Sequence, residues 1–230
     1  MLVPGAPDAP APPSPLSAPS LGMPTDWTPA RPKGLATATV VLTGFYALLG
    51  LVVGLMSQSA VDSLRESDAS GTATGSPATA GTAVLSFVVG VASFVVLALW
   101  MSRIRKNLLA RGVKAGGPPA VEWWGWFVPL GNFVLPFLGM KAIASHKVGV
   151  GVLLGWWIPF CLVWLLQGAS TVISFTAFDL STGDFRDSAA LDAMVPLGYA
   201  GGVFIVISWG FLMTIIRRVT DRHVEDKRGA

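Results

Sequence analysis

The sequence predicts an all-α integral membrane protein: a four-helix bundle with both termini in the cytoplasm and a non-crossing Pro/Trp-rich segment between its second and third spans. Three observations carry this. Only 13% of the 230 residues are charged and 52% are hydrophobic, whereas about a quarter of a soluble domain is Asp, Glu, Lys or Arg. Four stretches hold enough apolar residues, about 20, to cross a hydrocarbon core of about 30 Å. Finally, Lys and Arg gather at alternate ends of those stretches.

Taken in order, residues 1–33 come first. They hold ten prolines among Ala and Ser, with no apolar run. Such a stretch cannot bury enough apolar surface to offset its conformational entropy, so a disordered Pro/Ala-rich tail is expected. A membrane domain of residues 34–218 follows, with spans at about 35–57, 83–102, 148–175 and 194–216, none containing Asp, Glu, Lys or Arg. The Ser/Thr/Gly-rich stretch from Ser57 to Gly81 is expected to be a flexible connector, and Asp179–Asp192 a turn or short helix. Residues 219–230 form a charged C-terminal tail.

A fifth apolar stretch, residues 123–140, carries Pro129, Pro136, Asn132 and three glycines. If it does not cross, 14 Lys and Arg lie inside and two, Arg65 and Arg186, lie outside; if it crosses, the division is eight and eight. The positive-inside rule selects the first arrangement. The prolines remove backbone donors, so the stretch cannot lie in lipid as one regular helix. It is expected at the interface or as a re-entrant turn, with Trp123, Trp124 and Trp126 in the headgroup zone. Asn132 is expected to cap a short helix starting at Phe133, or to bond carbonyls the prolines free. His146 reads as a solvated interfacial residue.

In that region the chain resembles a known family. The runs LWMSRIRKNLLARG (Leu99–Gly112), WWGWFVPLGNFVLPFLGMKAIASHK (Trp123–Lys147) and GWWIPFCLVWLL (Gly155–Leu166) resemble the bacterial membrane-protein family termed domain of unknown function 4328, common in actinobacteria. The family pattern is a tryptophan and arginines ending in Asn after one span, a W-F-x-P-x-x-N-x-x-x-P core, and a tryptophan-rich next span. Onto it fall Trp100, Arg103, Arg105, Asn107, Trp126, Phe127, Pro129, Asn132, Pro136, Trp156 and Trp157. The resemblance covers about Leu35 to Arg218. Where the family places an acidic residue shortly after the second proline, this chain has Met140, Lys141 and Ala142. The resemblance implies the fold and names no activity.

Candidate chemistry is sparse. One cysteine, Cys161, and two histidines, His146 and His223, offer no metal cage, and no cofactor is expected. No nucleophile with its base and no paired carboxylates stand near the membrane, so no enzyme is expected. The basic residues reflect topology rather than nucleic-acid binding. Arg103, Arg105 and Lys106 are expected to face the headgroups of anionic lipids. Protein partners are expected through the N-terminal tail or the membrane helices. Gln167 is the largest polar group inside a span. GxxxG spacings at Gly50–Gly54, Gly151–Gly155 and Gly198–Gly202 permit close helix packing. These features favour a non-enzymatic membrane scaffold or sensor. The alternative is a small-solute transporter or channel component, with Pro159 and Gln167 as its only supports.

Overall fold

The computed structural model describes residues 32–70, 77–113, 115–128, 130–144, 147–177 and 188–225. Of the expected tail, residues 1–31 fall outside that set while Lys33 already opens α1; Lys114, Pro129, His146, Arg186 and most of the second polar connector also fall outside it. Among the described residues every regular element is helical: α1 (Lys33–Leu55), α2 (Ser57–Ser70), α3 (Pro77–Leu109), α4 (Val121–Trp124), a 3₁₀ turn (Gly131–Phe133), α5 (Leu135–Ala144), α6 (Val150–Ala177), α7 (Ser188–Asp192) and α8 (Met194–Glu225).

Four helices are long and apolar enough to cross a membrane, at Lys33–Leu55, Gly81–Leu109, Val150–Ala177 and Ala190–Asp221. Their apolar residues point outward as well as inward. Val41, Phe87, Leu165, Phe175 and Val203 are all more than half exposed, an apolar surface no soluble monomer would present to water. The helices line up in the order α6, α8, α1, α3, with α8 packed along both α6 and α1, and α1 along α3. Across the α1–α8 contact two of the GxxxG pairs meet. A Cβ on Gly54 would stand 2.6 Å from the Gly198 carbonyl oxygen and 3.2 Å from the Gly202 Cα, so no larger residue fits this crossing.

Each packed pair is also stitched by a polar contact. Trp209 Nε1 donates to the Val40 carbonyl at 3.2 Å and Ser208 Oγ to the Trp156 carbonyl at 3.0 Å. Thr39 Oγ1 bonds the Leu35 carbonyl at 2.7 Å within α1 and approaches the Val96 carbonyl of α3 at 3.4 Å. Such bonds contribute about 0.6 kcal/mol each.

The main core lies at one end of the bundle. There the C-terminal turns of α3 and α8 meet the N-terminal turns of α1 and α6, around Trp100, Met101, Ile104, Leu153, Trp156, Ile215 and Ile216. The other end holds only a small cluster of Val61, Ala177, Leu191 and Val195. The chain leaves α3 through a Schellman turn: Val113 N–H bonds the Leu108 carbonyl at 3.1 Å and Gly112 N–H the Leu109 carbonyl at 2.9 Å. Gly112 takes φ +72° there, a conformation that favours glycine.

One polar stretch differs from expectation. Ser57–Ser70 is helical rather than a flexible connector. Its side chains supply local bonds, such as Gln58 to Asp62 at 3.0 Å, and Arg65 reaches Asp192 at the end of α7 at 2.6 Å. The charged stretch after residue 218 begins as a continuation of α8, to Glu225.

Candidate functional site

The candidate site is the segment between α3 and α6, at the end of the bundle that holds the main core. Its sequence breaks where proline and glycine predict. It forms the single turn α4, then the 3₁₀ turn, then α5 of ten residues. Ten residues of helix rise about 15 Å, half the thickness of a hydrocarbon core, so no helix in the segment is long enough to cross. Pro136 is buried as the second residue of α5, in the first turn, where its missing donor has no intrahelical acceptor to lose. Ala120 and Leu130 have positive φ, 54° and 61°, and stand directly before α4 and the 3₁₀ turn.

The tryptophans turn this irregular piece into a wedge. Trp126 sits edge-on to Phe94 of α3, with ring centroids 5.9 Å apart, and edge-on to Trp157 and Phe160 of α6, at 6.2 and 5.8 Å. It therefore bridges two helices that scarcely touch each other directly. Trp157 Nε1 donates to the Phe133 carbonyl at 3.0 Å, tying the 3₁₀ turn to α6. Trp100 is fully buried and donates to Thr220 Oγ1 of α8 at 3.2 Å. Trp124 is 40% exposed.

Beside the wedge lies a buried polar cluster. Glu122 is only 3% exposed and faces Arg105, 8% exposed, with Nε 3.2 Å from Oε2. The approach is an ion pair whose angle falls short of a hydrogen bond. Ser102 Oγ donates to Glu122 Oε1 at 3.0 Å and accepts from Trp123 Nε1 at 2.9 Å, while Arg105 Nη1 approaches the Gly116 carbonyl at 3.3 Å. Asn107 is also buried, its Oδ1 without a partner.

This corrects the grouping of Arg103, Arg105 and Lys106 as lipid-facing. Arg103 and Lys106 are exposed, but Arg105 turns inward because a buried carboxylate requires a cation. Glu122 had no role assigned from sequence, and the available signal was that it heads the tryptophan run as its only acid. Asn132 also departs from expectation: its Oδ1 is buried and unpartnered, and it bonds neither a helix end nor a freed carbonyl. Gln167 lies elsewhere, on α6 in the other half of the bundle, lining a cavity of about 350 Å³.

The fold and this site together define a class: a helical protein with four membrane-length helices, two of them bridged by a tryptophan wedge beside an internal ion pair. The chain belongs to the family described as domain of unknown function 4328, whose model matches residues 65–221. The match begins within α2, so α1 lies outside it, short of the Leu35 start that the motif resemblance implied. No curated protein and no solved structure matches the chain.

Proposed function

We propose that the chain is a multi-pass protein of the cell membrane, with both termini cytoplasmic, acting as a non-enzymatic scaffold or sensor that engages anionic lipid and partner proteins. The observation that carries this reading is the close-packed core at one end of the bundle. Trp100, Met101, Ile104, Met140, Leu153, Trp156, Ile215 and Ile216 are each at most 2% exposed. That packing favours a docking platform over a conduit for solutes. The cavity at Gln167, with Pro159 inside α6, favours the transporter or channel alternative, and among the described residues no charged side chain lines it.

The segment from Trp123 to Met140 then lies at the cytoplasmic interface, with Trp124 at headgroup level and Arg103 and Lys106 beside it. Lys33 and Arg217, together with Asp221, line a cavity of about 310 Å³ between the start of α1 and the end of α8. Each juxtamembrane cation contributes about 1 kcal/mol toward an anionic surface. Arg103→Gln with Lys106→Gln should therefore reduce retention of phosphatidylglycerol relative to phosphatidylcholine in the purified protein, with unchanged thermal melting. An unchanged lipid ratio would leave these residues with topology as their only role.

A further inference from the structure

We propose that the cleft between α3 and α6 holds one acyl chain of a membrane phospholipid, in the leaflet remote from Arg103 and Lys106. The proposal rests on the membrane placement above and adds a ligand to the half of the bundle that the basic face does not reach.

The cleft exists because α3 and α6 are held apart by α1 and α8 and bridged only by the wedge. The Phe94–Trp126–Phe160 ring contacts close the space at mid-bundle. Beyond them toward α2 a cavity of about 350 Å³ opens, within the range of small-molecule sites. Its back wall is the α1–α8 glycine seam, its flanks are Ser86 of α3 and Val163 to Ser170 of α6, and Val61 and Leu64 of α2 cover its far end. Between two membrane-spanning helices, such a mouth faces hydrocarbon, not water.

Shape and polarity identify the occupant. Along α1 the lining runs from Tyr46 to Gly54, a rise of about 12 Å, most of one leaflet of a core of about 30 Å. Tyr46, Val163 and Ile205 line the end toward mid-bundle, while Ser57, Gln167 and Ser170 line the end toward α2. That order matches a chain whose ester lies near the membrane surface and whose tail points inward. Ser86 Oγ is buried without a partner, and the Gln167 side chain makes no hydrogen bond among the described residues, so both are free to meet an ester oxygen. Among the described residues no lining side chain is charged, so a free fatty-acid carboxylate meets no cation from them. An esterified chain needs none.

Gly201 supplies the test. It lines the cavity, and a Cβ added to it meets no atom within 4 Å, so a substitution there starts from open space on the cavity wall. Gly168 is equally unobstructed but lines no part of the cavity. The full chain is reconstituted in mixed phosphatidylcholine and phosphatidylglycerol vesicles, re-extracted in detergent, and its retained lipid quantified by mass spectrometry. Wild type and Gly168→Leu are expected to retain both lipids. Gly201→Leu, and Val163→Trp on the opposite wall, should retain roughly tenfold less of each, the equivalent of about 1.4 kcal/mol, while melting as wild type. The Arg103→Gln, Lys106→Gln protein should keep its phosphatidylcholine, which separates the cleft from the basic face. Equal retention by wild type and both cleft variants overturns the proposal. So does loss of phosphatidylcholine on neutralising Arg103 and Lys106, displacement of retained phospholipid by added oleate, or dissociation of a dimer by Gly201→Leu with lipid unchanged.

Discussion

Arg105 and Glu122 show how one side chain changes meaning when its neighbours are known. In the sequence, Arg105 is one of five cations between the second span and the Pro/Trp segment, and a juxtamembrane cation normally faces headgroups. Its partner lies 17 positions away across a glycine- and proline-containing turn, a pairing that no helical periodicity encodes. Buried at 3.2 Å from each other, the two charges are interdependent. Removing either leaves the other uncompensated, at a cost of about 3–5 kcal/mol. Arg105→Gln and Glu122→Gln should each sharply lower the thermal midpoint in detergent, whereas Arg103→Gln, at an exposed position, should shift stability by less than about 0.5 kcal/mol. Equal melting of the Arg105 and Arg103 variants would show that the pair does not form. Asn132 yields the opposite expectation from the one its spacing suggested. A buried oxygen without a partner is a cost to the fold, so Asn132→Leu should melt at or above the wild-type temperature. A marked loss of stability would mean that the amide is hydrogen-bonded after all.

At the scale of elements, composition located the four long helices well because their signal is long and one-sided: about twenty residues without a charge have few other uses. The break inside the Pro/Trp segment was also legible, since proline and glycine act on the backbone locally. The role of Trp126 was not. An aromatic residue in a headgroup zone and one wedged between two helices look alike in sequence, and only the placement of Phe94, Trp157 and Phe160 distinguishes them. The helix at Ser57–Ser70 was missed because Ser and Asp have weak helix propensity, while its support comes from tertiary contacts such as Arg65 with Asp192. The wedge makes a prediction of its own. Trp126→Ala removes ring contacts with three partners, a loss of about 2 kcal/mol or more, and should loosen α6 beside Phe160. Cys161, the lone cysteine, adjoins that ring and is half-buried, so it reports the change without engineering. Maleimide should label Cys161 faster in Trp126→Ala than in wild type, and an unchanged rate would deny Trp126 its bridging role.

For the whole molecule, the small-residue spacings foretold close packing without saying which helices meet. Gly50–Gly54 and Gly198–Gly202 pair with each other inside one chain, because α1 and α8 run antiparallel as neighbours. Every described feature of the site then depends on the segment between α3 and α6 remaining on one side: a crossing there would carry α6 and α8 into the opposite orientation and separate the wedge from the core it closes. Topology reporters fused after Gly75, Gly117, Gly183 and Ala230 measure this directly. Gly117 and Ala230 are expected on the cytoplasmic side and Gly75 and Gly183 on the external side, whereas Gly117 and Ala230 on opposite sides of the membrane would contradict the four-span arrangement.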